Sequence, residues 1–375
     1  MRQYGLNDHF QVLAGMYPEY AVGRITSQEK GFYQLVTSQG EKRAEVSGKF
    51  RYHAVTVSDY PAVGDFVMVN WNDHGGNAVI HHVLHRKSCV IRKAAGNAHQ
   101  EQVVAANIDT IFLCMSLNND FNLRRLERYL SIAWDSGAVP VIVLTKADLC
   151  SNLEKKQMEV ASVAIGVDVL VSTALEKDGY RQILPYITDG KTVAFIGSSG
   201  VGKTTLINCL LGEQRLDTNG LRNDDKGRHT TTHREQILLP NGGLVIDTPG
   251  MRELGMWDSG SGIDQAFGEI EELASYCRFK DCTHHNEPGF AVQRALQDGS
   301  LSEERWLSYL KLKAENDYAA DSQSYLAGKE KKFKEIAKIN KSNRKRWCTC
   351  ADDRIGLCSQ VRKAEIDFRA NKQSN

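Results

Sequence analysis

The chain has 375 residues, of which 41% are apolar, 25% charged and 8% aromatic, and its formal net charge is +1. This composition excludes a wholly disordered, collagen-like or coiled-coil chain, and at ~150 residues per domain the length predicts two to three domains. The longest near-apolar run, Gly137–Leu144, is far shorter than the ~20 residues of a membrane helix, and Met1–Leu6 lacks the apolar core of a secretory signal, so we expect a cytoplasmic protein without a membrane partner.

Residues 20–93 predict a small β-barrel. Short segments that are rich in β-branched and aromatic residues alternate here with glycines. These segments are Ala21–Thr26, Phe32–Thr37, Ala44–Val46, Phe66–Val69 and Val79–Leu84. About five short strands over this length are typical of a barrel of the OB type.

After residue 107 the pattern changes to continuous apolar runs, separated by helical stretches such as Leu123–Trp134. The apolar runs are Ile111–Met115, Val139–Leu144, Val167–Val171, Val193–Ile196 and Leu244–Ile246. Strands that are apolar throughout and that alternate with helices predict a parallel sheet with both faces covered.

Beyond residue 256 the pattern is helical. Ile263, Phe267 and Ile270 fall on one helical face, and a capping-box pattern at Ser300 and Glu303 predicts another helix. The segment 329–346 holds nine Lys or Arg residues against two Glu, which indicates either a solvated face or a nucleic-acid contact.

Residues 197–205 match the phosphate-binding P-loop pattern G-x-x-x-x-G-K-[ST] in full, between a predicted strand and a predicted helix. The P-loop residues are Gly197, Ser198, Ser199, Gly200, Val201, Gly202, Lys203, Thr204 and Thr205. Backbone N–H groups and the helix N-terminus are predicted to hold the phosphates, with Lys203 at the β- and γ-phosphates and Thr204 on Mg²⁺. Asp247 is placed to hold Mg²⁺ through water, and the Gly250 N–H to approach the γ-phosphate.

Two further loops predict which base the site reads. The first is Thr145, Lys146, Ala147 and Asp148, and the second is Ser172, Thr173 and Ala174. A carboxylate at Asp148 can accept hydrogen bonds from guanine N1–H and the 2-amino group, whereas adenine would leave it unpaired. Lys146 can lie over the base, and the second loop can offer a backbone N–H to guanine O6. GTP is therefore favoured over ATP, which argues against an ATP-dependent kinase.

The order of these motifs is permuted. GTPases ordinarily run from the P-loop through D-x-x-G to T-K-x-D, but here Thr145–Asp148 precedes the P-loop. Re-joining chain ends that lie close together on one sheet tolerates such a permutation. As a result, Asp247–Gly250 lies at the end of the nucleotide-binding domain, next to the segment that follows.

Together with Pro61–Asp65, Gly227–Thr232 and Cys277-x4-Cys282-x-His284, this order resembles the ribosome small subunit-dependent GTPase A family (RsgA). The resemblance runs from about Ala21 to about Leu312. It implies an N-terminal OB-fold, a permuted GTPase domain and a C-terminal, mainly helical zinc-binding domain. It also implies GTP hydrolysis stimulated by the small ribosomal subunit, in late maturation of that subunit.

We therefore expect four regions. Residues 1–93 form an OB-like RNA-binding barrel, residues 94–256 the permuted GTPase domain, residues 257–328 a helical zinc-finger-like domain and residues 329–375 a basic tail. In the barrel, basic and aromatic side chains interleave from Lys49 to His53, which is typical of RNA-binding surfaces. The expected partner is the small subunit with its rRNA, and the chain is expected to be a monomer.

Turnover of the isolated protein is predicted to be slow. The residue after D-x-x-G is Met251, where many GTPases have the Gln that orients the attacking water. The resemblance suggests His229 for this task, and Thr230 or Thr231 as a second Mg²⁺ ligand. The alternative is that His229 contacts RNA or solvent. A non-hydrolysing scaffold that binds guanine nucleotide and the ribosome is the second functional hypothesis.

The predicted zinc site is incomplete. Cys277, Cys282 and His284 are suited to tetrahedral zinc, but the fourth family position is occupied by Phe290. His285 or a tail cysteine could replace the missing ligand, or the site could be open or lost. We expect one zinc ion per chain to be retained.

Overall fold

The computed structural model describes residues 1–29, 31–71, 76–93, 101–173, 179–216, 234–247, 260–277 and 291–316. By its contacts the chain divides into two units, Met1–Ala320 and Asp321–Asn375, and every described residue belongs to the first. In these ranges no helix has both the length and the apolar character that a membrane crossing requires. Short 3₁₀ turns occur at Arg2–Tyr4, Val57–Asp59, Ala147–Leu149 and Arg181–Tyr186.

The N-terminal part is a closed five-stranded barrel. Its elements are helix α1 (Asp8–Gly15), strands β1 (Ala21–Glu29), β2 (Phe32–Thr37) and β3 (Gly40–Val46), helix α2 (Gly48–His53), and strands β4 (Phe66–Asn70) and β5 (Ala78–Val83). The strand order is β1-β2-β3-β5-β4, and β4 pairs back onto β1. Closure in this order, with a helix between β3 and β4, confirms the predicted OB-type barrel.

A central sheet follows the barrel. Its elements are β8 (Thr110–Ser116), α3 (Leu123–Asp135), β9 (Val139–Thr145), α4 (Leu153–Ala161), β10 (Asp168–Val171), β11 (Thr192–Ile196), α5 (Lys203–Leu211), β12 (Arg234–Leu238) and β13 (Leu244–Asp247). The order is β10-β9-β8-β11-β13-β12. All neighbours are parallel except β12, which runs antiparallel to β13. The predicted parallel sheet is therefore confirmed, with one antiparallel strand added.

Barrel and central sheet are hydrogen-bonded to each other. Strand β1 pairs with β12, with Ser27 opposite Glu235 and Gln28 opposite Arg234, so one eleven-stranded sheet runs through both. A separate two-stranded ribbon of β6 (Cys89–Lys93) and β7 (Glu101–Ala106) lies between them in the chain. The sequence analysis predicted neither the ribbon nor the pairing of β1 with β12.

Helices α6 (Gly260–Ala266), α7 (Gly268–Ser275), α8 (Ala291–Asp298) and α9 (residues 303–316) follow the sheet. Helix α6 packs so closely on α3 that a Cβ at Gly262 would lie 2.1 Å from the Ser131 carbonyl oxygen. The Ser302 hydroxyl accepts a hydrogen bond from the Arg305 N–H, so Ser302 caps α9 in place of the expected Ser300.

A buried ion pair joins these helices to the central sheet. Arg305 of α9 donates to Glu127 of α3 at 2.8 Å, and the Ser308 hydroxyl donates to the other oxygen of that carboxylate. Glu127 has no solvent-exposed surface, and Arg305 also donates to Glu269 at 2.6 Å. Because both charges are paired and hydrogen-bonded, their burial is tolerated.

Candidate nucleotide-binding site

The predicted motifs meet at one edge of the central sheet. The P-loop follows β11 and Asp247 ends β13. Thr145 ends β9 and is followed by Lys146–Asp148, and Ser172 and Thr173 follow β10. These four strands run parallel in the sheet, with β8 between β9 and β11, so their carboxyl ends lie at the same edge. In open sheets of this kind, ligands bind in the crevice at that edge.

The P-loop has the geometry of an anion cradle. Gly202 has a φ of 103°, a left-handed conformation that favours glycine, and helix α5 begins directly after it. Within the described residues no side chain caps α5, which leaves the N–H groups of its first turn for a ligand. The ammonium of Lys203 donates to the carbonyl oxygens of Gly197 at 2.6 Å and Ser198 at 2.7 Å. Lys203 is thus held across the mouth of the loop.

The groups present are suited to GTP with Mg²⁺. The first turn of α5 carries Thr204 and Thr205, both half-buried, and Asp247 is half-buried at the end of β13. A threonine hydroxyl and a carboxylate are oxygen ligands of the kind that Mg²⁺ binds beside nucleotide phosphates. Thr204 would hold the ion directly and Asp247 through water.

Direct hydrogen bonds join the base-reading loops to the P-loop and to each other. The buried Thr145 hydroxyl donates to the Val201 carbonyl oxygen at 2.6 Å. The Thr173 hydroxyl donates to the Asp148 carboxylate at 2.9 Å, and Asp148 itself is exposed. Lys146 has a φ of 56°, which is uncommon for a residue with a side chain.

The structure adds a residue that no motif indicated. Asp120, in the loop after β8, accepts a hydrogen bond from the P-loop Ser198 hydroxyl at 2.6 Å and two from Arg125 at 2.8 Å. Burial raises the pKa of the Asp120 carboxyl. The bonds from Ser198 and Arg125 and the charge of Lys146 outweigh burial and hold that pKa below its ordinary value. The one signal for Asp120 in the sequence was that it follows a buried strand, at the sheet edge where the motifs lie.

A buried thiol lies beside the P-loop residue Gly197. Cys114, in the middle of β8, is 1% exposed, and burial raises its pKa to about 12, although the Lys203 charge opposes this. It is therefore protonated at neutral pH, as expected of a packing residue.

Several predicted site residues lie outside the described residues. They are Ala174, His229, Thr230, Thr231, Gly250, Cys282, His284 and Phe290. Cys277, half-buried directly after α7, is thus the one described member of the predicted zinc set. In the described part of the chain no group of three or more His, Cys, Asp or Glu side chains could hold a metal.

Comparison with protein families gives two matches. The family model described as RsgA GTPase matches residues 83–257. The model described as ABC transporter matches residues 180–345, a range that contains the P-loop. Because P-loops are shared among families that use different nucleotides, the second match does not distinguish the base.

Individual relatives match over most of their length. The small ribosomal subunit biogenesis GTPase RsgA 2 of Lactiplantibacillus plantarum is 49% identical over 317 residues, which cover 84% of this chain and 89% of that protein. The small ribosomal subunit biogenesis GTPase RsgA 1 of Oceanobacillus iheyensis is 45% identical over 327 residues, covering 86% and 93%.

Two solved structures share the fold. YjeQ from Thermotoga maritima superposes with a TM-score of 0.58 at 25% identity, over 78% of this chain and 96% of that one. YloQ, described as a circularly permuted GTPase, superposes with a TM-score of 0.58 at 26% identity, over 81% and 96%.

Proposed function

Because this chain belongs to the RsgA GTPase family, we propose that it hydrolyses GTP during the biogenesis of the small ribosomal subunit. In its GTP state it binds the subunit and its rRNA, in the cytoplasm and as a monomer. Hydrolysis is slow in the isolated protein, is stimulated by the subunit, and is coupled to release from it.

One observation carries the nucleotide assignment. The hydrogen bond from Thr145 to the Val201 carbonyl ties the base-reading loop to the phosphate-binding loop. This contact supports the assignment of Asp148 and Lys203 to the two ends of a single nucleotide, although the chain order of their motifs is reversed. A permuted sequence supplies the same set of strand ends because these ends depend on sheet order and not on chain order.

Nucleotide binding would rearrange the P-loop contacts. The phosphates compete for the Lys203 ammonium, which then leaves the carbonyl oxygens of Gly197 and Ser198. The N-terminus of α5 contributes a partial positive charge to the same phosphates. Water positioning by His229 belongs to this proposal, because Met251 has no group that could orient water.

A groove of about 960 Å³ on the barrel supports rRNA binding. Lys49, Phe50 and His53, three of the residues predicted to contact RNA, line it. The Tyr20 and His81 rings that also line it are stacked, with centroids 4.5 Å apart. Burial, with the neighbouring charges of His82 and Lys49, lowers the pKa of His81, so its ring is neutral at neutral pH. Neutral aromatic rings beside cations are suited to bases and phosphates together.

Zinc is the second bound metal of this proposal. Cys277, Cys282 and His284 supply three ligands, and a tail cysteine supplies the fourth in place of Phe290. The zinc content of the purified protein is expected to fall when the chain is truncated after residue 346. Equal zinc content in both proteins would exclude a tail ligand, and no zinc in either would exclude the site.

Phosphate release from GTP and from ATP, with and without purified small ribosomal subunits, tests the main proposal. We expect slow release from GTP, strong stimulation by the subunit and no stimulated release from ATP. Tight GTP binding without stimulation would instead support the hypothesis of a non-hydrolysing scaffold, which Met251 in the place of a water-orienting Gln also favours.

Asp148→Asn tests the base assignment. The variant is expected to lose at least ~100-fold in preference for GTP, because its amide cannot accept two guanine hydrogen bonds. It should gain affinity for xanthosine triphosphate, whose 2-carbonyl can accept from the new amide. Asp168→Asn is the matched control. The Asp168 carboxylate also accepts a hydrogen bond from a hydroxyl group, that of Tyr186, but Asp168 begins β10 and so lies at the opposite end of this strand from Ser172 and Thr173. Unchanged GTP preference in Asp148→Asn would refute the assignment.

A further inference from the structure

Two arginines share one neutral acceptor beside the junction of barrel and central sheet. Arg92 of β6 donates to Gln102 Oε1 through Nε at 3.4 Å and Nη2 at 3.2 Å. Arg234 of β12 donates to the same oxygen through Nη2 at 3.2 Å, and to the Val103 carbonyl oxygen at 3.4 Å. At 3.2–3.4 Å these bonds lie at or beyond the long end of the usual N–H···O range of about 2.7–3.2 Å. Both guanidinium groups are thus weakly held.

No carboxylate balances these charges among the residues that the structure describes. The ion pairs there involve other arginines, such as Arg86 with Asp65 at 2.7 Å and Arg305 with Glu127 at 2.8 Å. Both Arg92 and Arg234 are half-buried. Burial, and then the charge of Arg92, lowers the pKa of Arg234 to about 10. At neutral pH two cations therefore lie side by side, partly removed from water.

The nearest carboxylate along β12 is already paired. Glu235 follows Arg234 and is bonded to Arg215 at 2.8 Å. Successive side chains of a strand point to opposite faces, so Glu235 lies on the other side of the sheet from Arg234. The face of the sheet that carries Arg234 is therefore cationic where Arg92 and Arg234 meet.

A buried amide on the same face also lacks a partner. Gln236, two residues after Arg234, is 4% exposed, and neither its oxygen nor its nitrogen has a hydrogen-bond partner among the described residues. It pairs across the sheet with Ile246, and a Cβ at Gly64 would lie 3.0 Å from Ile246 Cδ1 and 2.1 Å from the carbonyl oxygen of Ala106 in β7, so this face of the sheet lies beside β7. Gln236 thus faces the ribbon that carries Arg92 and Gln102. Buried polar groups in folded proteins are almost always bonded, so this amide indicates a missing ligand.

We infer that Arg92, Arg234 and Gln236 form an anion site that binds a phosphodiester group of RNA. Guanidinium groups donate to phosphate oxygens in a fixed planar geometry, and an amide N–H adds a third donor. The bound phosphate takes the place of Gln102 Oε1 as the acceptor shared by the two arginines. This site rests on the proposed function, since it assigns one contact of the rRNA that the chain binds.

The site lies at the start of β12. Arg234 is the first residue of β12, and the predicted loop Gly227–Thr232 ends two residues before it in the chain. The opposite residue on the barrel strand β1 is Gln28. A phosphate held by Arg234 therefore contacts the strand that links RNA-binding barrel and nucleotide site.

Three variants of the full-length protein test the inference, namely Arg234→Gln, Arg92→Gln and Gln236→Leu. The matched control is Arg215→Gln, which removes an arginine that is paired with Glu235 of β12. The first readout is the unfolding midpoint at low salt without ligand. Removing one of two like charges, or an unbonded buried amide, is expected to leave the midpoint unchanged or to raise it. A structural role would lower it.

The second readout is affinity for a single-stranded RNA oligonucleotide as a function of salt. Each arginine variant is expected to lose up to about tenfold in affinity at low salt. Its salt slope is expected to be smaller by at most about 0.7, because the other arginine still contacts the shared phosphate. Gln236→Leu is expected to bind RNA more weakly with an unchanged slope, because it removes no charge. Arg215→Gln is expected to bind as the wild type does.

The outcomes separate this inference from the function on which it rests. Binding of RNA by the wild type and by all variants alike overturns the site but leaves the proposed function standing. A wild type that binds no RNA overturns the site and the rRNA-binding part of the proposed function. If inorganic phosphate raises the wild-type midpoint and RNA does not, the site is a free-phosphate site and the RNA assignment is wrong.

Discussion

Two arginines at the junction of barrel and central sheet show how differently a protein can treat a buried cation. Arg24 of β1 is 1% exposed and donates to the carbonyl oxygens of Tyr4, Gly64 and Asn107 and to the Thr192 hydroxyl. Burial lowers its pKa to about 10, while the charges of Asp109 and Asp65 oppose that change. All four of these Arg24 acceptors are groups of the protein, so this cation needs no external ligand.

The pKa of Arg234 is also lowered to about 10, but its neighbour is a second cation and its bonds are long. Arg24 is therefore a structural group that holds the barrel, the 3₁₀ turn Arg2–Tyr4 and strand β11 together. Arg234 has the surroundings of a binding group whose ligand comes from outside. Burial alone does not distinguish the two roles, whereas the partners do.

The largest expected effect is that of Arg24→Met. It removes the donor that four acceptors share at a buried junction, of which only the Gly64 carbonyl keeps another described side-chain donor, Asn107, so the free energy of unfolding is expected to fall by about 3 kcal/mol or more. Arg234→Met, by contrast, is expected to stay within about 1 kcal/mol of the wild type. Urea denaturation of both variants measures the difference. Similar losses in the two proteins would remove the distinction between them.

An intermediate effect is expected from Thr192→Val, which keeps the shape of the side chain but removes the acceptor that lies 2.8 Å from Arg24. The free energy of unfolding is expected to fall by about 1.5 kcal/mol. In the Arg24→Met background the same substitution should cost close to nothing, because its partner is gone. A double-mutant cycle by urea denaturation measures this coupling, and additive losses would exclude it.

The smallest effect depends on pH and concerns Asp109. Burial raises its pKa, but hydrogen bonds from Lys87 and the Thr192 N–H and the charge of Lys191 hold the pKa below its ordinary value. A carboxyl whose pKa is lowered on folding stabilises the protein above the unfolded pKa, and this stability is lost as the pH falls through the folded pKa.

Asp109→Asn is therefore expected to lose about 1 kcal/mol of unfolding free energy near neutral pH. The difference from the wild type should shrink as the pH falls below about 4. Urea midpoints measured across this range test the expectation. A difference that stays constant with pH would show that the carboxylate charge is not involved.

Local patterns predicted much of the nucleotide site. The P-loop and Thr145–Asp148 are contiguous motifs, and each follows an apolar strand whose end fixes where the loop lies. The GTPase prediction, which rested on these motifs and on the family resemblance, is confirmed by the relatives of this chain. His229 and the zinc ligands stay predictions, because they lie wholly or mostly outside the described residues.

Asp120 was not predictable in the same way. An isolated Asp has no spacing signal, and its contact with Ser198 depends on β8 and β11 being neighbours in the sheet. The capping residue of α9 was misplaced by two positions, from Ser300 to Ser302, because both serines precede the helix and the sequence does not distinguish them.

Hydrophobic periodicity and contiguous motifs, which are local properties of the chain, were sufficient to identify the strands of the barrel, the parallel sheet and the phosphate-binding loop. The pairing of β1 with β12, the ring of acceptors around Arg24 and the convergence of Arg92, Arg234 and Gln236 were decided by tertiary structure. These features join residues that are far apart in sequence. Which distant strands meet, and in which register, depends on the packing of the whole sheet, and no local pattern records it.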